Sequence, residues 1–159
     1  MTEQVDDFLR SGLDYIYGDQ YEDFAEGFGA RAVIAGVGIL VTCDEDVIKI
    51  SARVFSGLLL NDSLTARIAD VCIGTRIGSF YLSPEPSGST WSLIYAAKIP
   101  RSWIDPSSQA SAQMLAEILT NAPELVNSRA GYIASDADVT YARWPTDAGT
   151  WWFTLMDRC

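Results

Sequence analysis

The stretch GILVTCDEDVIKISARVF, residues 38–55, decides the fold of this chain. Two runs rich in β-branched residues flank the acidic triplet Asp44-Glu45-Asp46, which is typical of a turn. In the second run polar side chains alternate with apolar ones, as in an antiparallel strand that buries one face. The stretch therefore predicts a hairpin whose second strand turns Lys49, Ser51 and Arg53 outward.

Apolar spacing on both sides of this hairpin predicts further elements. Gly36 and Gly38 interrupt the first apolar run, which indicates a bend, a bulge or a tight turn. Downstream, Asn61 or Asp62 is suited to cap a helix. Pro123 is expected to kink or restart the last helix. The elements predicted after the hairpin are a helix over 58–73, a second hairpin over 77–99, and a long helix from Asp105-Pro106 toward Ser135.

Residues 1–26 hold most of the negative charge of the chain, with eight acidic residues and one basic residue. An apolar helical stripe runs along this segment, and Phe8 and Tyr17 widen it. The spacing of Tyr21, Phe24 and Phe28 predicts a second short helix or turn. The segment is expected to pack on the core by its apolar face, or else to dock on another subunit or partner. The stripe consists of Val5, Leu9, Leu13 and Ile16.

Aromatic residues dominate the end of the chain, and residues 136–159 are predicted to form a third hairpin. Trp151 and Trp152 are adjacent, so in a strand their side chains point to opposite faces. An outward tryptophan there would mark an interface, because tryptophan is enriched at binding hot spots. The alternative is that the long helix covers both of them.

Together these elements predict an α+β fold in which helices pack mainly on one face of an antiparallel sheet. The expected order is α-β-β-β-α-β-β-α, followed by the C-terminal aromatic hairpin. We expect a single domain over residues 1–159. It is divided into an acidic helical element over 1–26, an α+β core over 27–135 and the hairpin over 136–159.

Composition excludes several classes of function. The chain has 159 residues and no histidine, which excludes serine hydrolases with a histidine base, Cys–His proteases and histidine-ligated metal sites. Its net charge of −10 argues against nucleic acid and anionic membranes as partners. No apolar run approaches the ~20 residues that span a bilayer, so no membrane insertion is expected. Three scattered cysteines, Cys43, Cys72 and Cys159, indicate reduced thiols in a cytoplasmic protein.

Two groups of acidic residues are candidate sites of chemistry. Adjacent carboxylates at residues 44–46 suit Ca²⁺ or Mg²⁺, but they lack the ligand spacing of a calcium loop and suit a solvated turn better. Asp136 and Asp138, near the C-terminal tryptophans, are compatible with a carbohydrate site but more often face solvent. The sequence therefore predicts no catalytic residue, no cofactor and no metal.

Two motifs in the second predicted hairpin resemble a known family. Arg76-Ile77-Gly78-Ser79-Phe80 follows a helix, and Trp91-Ser92-Leu93-Ile94-Tyr95 leads to Lys98-Ile99-Pro100. This pattern resembles the bacterial type III secretion chaperone-like family, which includes the YbjN-type domains, over about residues 25–135. The resemblance implies a small acidic homodimer without enzymatic activity, which binds a peptide segment of a partner and keeps it soluble or assembly-competent.

The first functional hypothesis is therefore a peptide- or protein-binding module. A second is an adaptor or regulatory subunit bound to one folded partner. A third is a small-molecule or carbohydrate-binding protein that uses carboxylates and the tryptophan-rich tail. The candidate partner-binding residues are all aromatic: Phe8, Tyr17, Tyr21, Phe24, Trp91, Tyr95, Trp151 and Trp152.

Overall fold

Three helices and six strands make up the fold, and the computed structural model describes them over residues 2–23 and 28–134. Their bounds are α1 Thr2–Tyr17, β1 Tyr21–Asp23, β2 Phe28–Ile34, β3 Val37–Cys43, β4 Val47–Leu58, α2 Asp62–Gly74, β5 Ser79–Pro84, β6 Trp91–Pro100 and α3 Gln109–Ala134. A 3₁₀ turn, Arg101–Trp103, follows β6. The hairpin predicted over 136–159 lies outside the described residues.

The strands form one antiparallel sheet in the order β1-β2-β3-β4-β6-β5. The predicted α+β class, antiparallel sheet and element order are confirmed, with the three-residue strand β1 as an addition. Tyr21 lies in β1, so the short helix or turn predicted around it is wrong there. The cross-strand pair Glu22 and Arg31, joined by a 2.9 Å ion pair, helps to hold this segment against β2.

All three helices share one apolar core with a single face of the sheet, as predicted. On α1 the buried positions are Val5, Leu9, Leu13 and Tyr17, spaced by four residues along one side. Ile16, predicted as the last member of this stripe, is only partly buried. The largest fully buried side chains of the core include Phe55, Tyr95, Leu9, Leu13, Ile39, Ile48, Ile50, Leu58, Leu64, Leu93 and Leu115.

The acidic triplet forms the turn between β3 and β4, which confirms the predicted hairpin. An oxygen of the Asp44 carboxylate accepts hydrogen bonds from the backbone N–H groups of Asp46 and Val47, at 2.9 and 2.8 Å. These backbone hydrogen bonds hold the pKa of Asp44 below its ordinary value. Within residues 2–23 and 28–134, no group of three or more His, Cys, Asp or Glu side chains could hold a metal ion.

A two-residue turn joins β2 to β3, so the tight turn is the correct one of the three alternatives at this point. Ile34 pairs with Val37, and the turn residues Ala35 and Gly36 both have positive φ, at 51° and 80°. Hairpin turns of this kind match the twist of the strands and favour Asn-Gly. Alanine is the unusual choice, because its Cβ disfavours the left-handed region.

Replacing Ala35 with asparagine is expected to raise the free energy of unfolding by about 1 kcal/mol, since asparagine tolerates positive φ better. Urea unfolding of the full chain measures this change. Gly36→Ala, which introduces the same strain at the next position, should lower stability and serves as the opposite control. An Ala35→Asn variant no more stable than the parent would contradict the expectation.

The two later helices begin in different ways. Asn61 caps α2, because its side-chain oxygen accepts the backbone N–H of Leu64 at 2.8 Å. Helix α3 begins at Gln109, three residues after the predicted Pro106, and that prediction of its start is wrong. The Asp105 carboxylate instead closes a separate turn, accepting from the hydroxyl of Ser107 at 2.7 Å and from its N–H at 3.0 Å.

Helix α3 continues through Pro123 without the predicted restart. Proline has no N–H, so the carbonyl of Leu119, four residues earlier, lacks its helical donor. The hydroxyl of Tyr17 on α1 donates to this carbonyl at 2.6 Å, in the interior of the protein. A side chain of the first helix thus supplies the hydrogen bond that the last helix cannot make for itself.

Candidate functional site

A groove of about 760 Å³ lies between α1 and the start of α3. Its apolar lining comes from three residues of α1 and three of α3: Phe8, Gly12, Tyr15, Ala112, Leu115 and Ala116. Polar residues of both helices and the turn at residues 105–107 complete its walls. The groove is open along the two helices, which gives it the shape of a site for a chain segment.

The helical repeat of α1 creates the groove. Phe8, Gly12 and Tyr15 are spaced i, i+4 and i+7, so they line a second stripe beside the buried one. At Gly12 a Cβ atom would lie only 2.6 Å from Cδ2 of Leu115, which shows how closely the two helices approach here. The missing side chain brings Leu115 to the floor of the groove.

The groove leaves aromatic surface open to solvent. Phe8 is partly buried against the core, whereas the side chain of Tyr15 is 85% exposed. Tyrosine at an interface contributes a large rigid ring and a polar tip, and it is enriched among binding hot spots. An exposed aromatic residue beside an apolar floor is therefore a suitable anchor for a partner.

The charge at the groove is negative. Asp7 and Asp105 line it, and none of the described residues lining it is lysine or arginine. The hydroxyl of Ser107, together with its backbone N–H, holds the pKa of Asp105 below the ordinary value. Arg10 on α1 forms a 2.8 Å ion pair with Asp23 of β1. The groove thus favours a partner segment with lysine or arginine beside its apolar residues.

Two of the predicted partner-binding residues, Tyr17 and Tyr95, lie in the core and not at the surface. Tyr17 is buried and donates to the Leu119 carbonyl, and Tyr95 is buried and donates to the Ile77 carbonyl at 2.9 Å. Burial raises the pKa of both hydroxyls. A tyrosine can bury its ring when a backbone carbonyl accepts its hydroxyl, and the sequence does not reveal such carbonyls.

The other predicted residues lie in different places. Phe8 lines the groove. Tyr21 is half-buried on β1 and donates to the Asp14 carboxylate at 2.6 Å, which raises the pKa of the Tyr21 hydroxyl to about 12. Trp91 is half-buried at the start of β6 and packs against the core, away from the residues that line the groove. Phe24, Trp151 and Trp152 lie outside the described residues.

Sequence reasoning missed Gly12 and Tyr15. The signal was present, because these residues continue the i, i+4, i+7 spacing that starts at Phe8. This spacing is less evident than the core stripe, which is more strongly apolar and lies on the neighbouring side of the same helix. Recognising the groove also required knowing that α3 packs against α1.

Comparison with known proteins supports the fold. No protein-family model and no curated protein matches the chain. Among solved structures, the chain is similar to YbjN, a proposed transcription regulator from E. coli, with a TM-score of 0.56 and 14% identity. The match covers 81% of this chain and 88% of that chain. At this identity the likeness shows a shared fold, as the resemblance found in the sequence implies.

No helix in the described part of the chain is both long and apolar enough to cross a membrane.

Proposed function

We propose that this protein is a non-enzymatic module that binds a segment of a protein partner in the groove between α1 and α3. The observation that carries the proposal is the exposed Tyr15 beside an apolar floor and two carboxylates. The segment combines apolar anchors with lysine or arginine. Binding keeps that segment soluble or ready for assembly, as the family resemblance implies.

The energetics of binding favour a short segment of the partner. Apolar anchors at i, i+3 or i+4 spacing enter a groove between helices and remove its aromatic surface from water. Carboxylates at the rim attract a basic segment and speed its association, in a way that salt screens. Truncation of an aromatic hot spot costs about 2 kcal/mol, or roughly a thirtyfold loss of affinity.

We further propose that the protein works as a homodimer in the cytoplasm of a bacterium, as the resemblance to secretion chaperones implies. A transcription role such as that proposed for YbjN would here depend on protein contacts. The reason is charge: a chain with a net charge of −10 repels the phosphates of DNA.

Native mass spectrometry of the tagged full chain, gently isolated from its own cells, tests the proposal. The parent should carry a stoichiometric second polypeptide. Tyr15→Ser should reduce that complex at least tenfold, because it removes the exposed aromatic anchor. Ile73→Ser is the matched control, since Ile73 is also 85% exposed but lies on α2 and does not line the groove.

Three outcomes would reject the proposal: a bare chain, a chain that carries only a small molecule, or equal loss of the complex in both variants. Overlapping peptides from the captured polypeptide then separate the two protein-binding hypotheses. A peptide that binds as tightly as the whole polypeptide supports segment binding. Binding that needs the folded polypeptide identifies an adaptor instead.

A further inference from the structure

The face of the sheet that points away from the helices, here called the outer face, has an apolar centre. Leu40, Ser51 and Ala96 are direct neighbours in register across β3, β4 and β6, and Ile94 lies two residues before Ala96. Residues next to them along the strands, such as Ile39 and Ile50, belong to the core on the helix side. Strand alternation therefore places these four side chains on the opposite side.

This centre is closed to solvent. The exposed fractions are 0% for Leu40, 1% for Ser51, 2% for Ile94 and 4% for Ala96. On β6 every residue from Ser92 to Ala97 is buried, the pattern of a strand covered on both faces. All three described helices pack on the other face. The centre of the outer face thus behaves as the inside of a second, smaller core.

The outer face is also basic. Lys49 and Lys98 are the only lysines of the chain, and they lie directly opposite each other on β4 and β6. Arg31 and Arg53 share this face by the same alternation, so four of the eleven cations of an acidic chain lie here. Like charges directly across a ladder destabilise a sheet unless acidic groups approach them. The outer face therefore suits an acidic occupant with large apolar side chains.

We propose that the C-terminal segment of the same chain, residues 135–159, is this occupant. It contains four aspartates and two arginines, and it contains three of the five tryptophans of the chain. Helix α3 ends at Ala134, and 25 extended residues reach as far as ~80 Å. A six-stranded sheet is only ~25 Å wide, so the segment can pass an edge and cover the outer face.

The proposal extends beyond partner binding in the groove, because it concerns the other side of the sheet. The segment covers the outer face: its aspartates lie near the lysines, and its aromatic rings cover the apolar centre. The charges are of opposite sign: with Arg31 paired to Glu22, the face keeps a net charge of +3, and the side chains of the segment carry −2.

Zero-length carbodiimide cross-linking of the purified full chain tests this arrangement directly, since it joins a lysine amine to a carboxylate in contact with it. Apart from the chain N-terminus, the only amines are Lys49 and Lys98, so every lysine link reports on the outer face. We expect links to Asp136, Asp138, Asp147 or Asp157. A Lys49→Arg, Lys98→Arg double variant keeps the charge and should lose these links.

An equal mixture of ¹⁴N- and ¹⁵N-labelled chains shows which chain supplies the carboxylate. Links within one isotope label support the proposal. Links between labels would assign the face to a second copy and overturn it. Lysine links confined to acids before residue 135, or no lysine links, would also overturn it. None of these results depends on the groove, so the proposed function stands or fails separately.

Discussion

Replacing Gly78 with alanine is expected to lower the free energy of unfolding by about 3 kcal/mol. Gly78 has a φ of +77°, which costs an L-residue about 1–2 kcal/mol. A Cβ atom there would lie 2.7 Å from the Tyr95 hydroxyl and 2.8 Å from the carbonyl oxygen of Ala96. The carbonyl belongs to the central strand β6, so relief requires the strand itself to move.

Gly88→Ala is the matched control for this prediction. Gly88 has nearly the same φ, +76°, but a Cβ atom there would meet nothing within 4 Å. Its alanine variant should therefore lose only about 1 kcal/mol, which is the backbone strain alone. Denaturant unfolding of both variants isolates the steric contribution. Equal losses at the two positions would show that the contact with Tyr95 and Ala96 is without cost.

Replacing Tyr17 with phenylalanine is expected to lower the free energy of unfolding by about 2 kcal/mol, because it leaves the Leu119 carbonyl buried without a donor. The cause can be isolated with a second substitution. Pro123→Ala restores a backbone N–H four residues after Leu119, which can donate to the same carbonyl. In that background Tyr17→Phe should cost less than about 1 kcal/mol.

The double-mutant cycle thus predicts a coupling of about 1–2 kcal/mol between residues 17 and 123. Tyr95→Phe is the control, because it also removes a hydrogen bond to a backbone carbonyl, that of Ile77, where no proline is involved. Pro123→Ala should leave its cost unchanged. If Tyr17→Phe costs the same in both backgrounds, the proposed replacement of the helical donor is wrong.

Local signals predicted the fold well where short-range chemistry decides the structure. The turn at Asp44 and the cap at Asn61 depend on hydrogen bonds to backbone groups two or three residues away. Asp105-Pro106 suits a turn and a helix start equally. Here it forms the turn, so α3 begins three residues later than predicted.

The site was less predictable because it depends on contacts between distant segments. Tyr15 lines a groove only because α3 packs beside α1. The pattern of residue types predicts a binding role for Tyr17 and Tyr95 because it does not show the carbonyls that accept their hydroxyls. Only Phe8, whose position follows from the repeat of its own helix, was both predicted and found in the groove.

The distance in sequence between Tyr17 and Leu119 also has a consequence for synthesis on the ribosome. Its partners are 102 residues apart, and α1 packs against α3 beside it. At roughly 5–20 residues per second, Leu119 is added about 5–20 s after Tyr17. During that interval the apolar stripe of α1 leaves the ribosome before the helix that covers it exists. During synthesis the nascent chain therefore exposes an apolar surface of α1 that the folded protein buries.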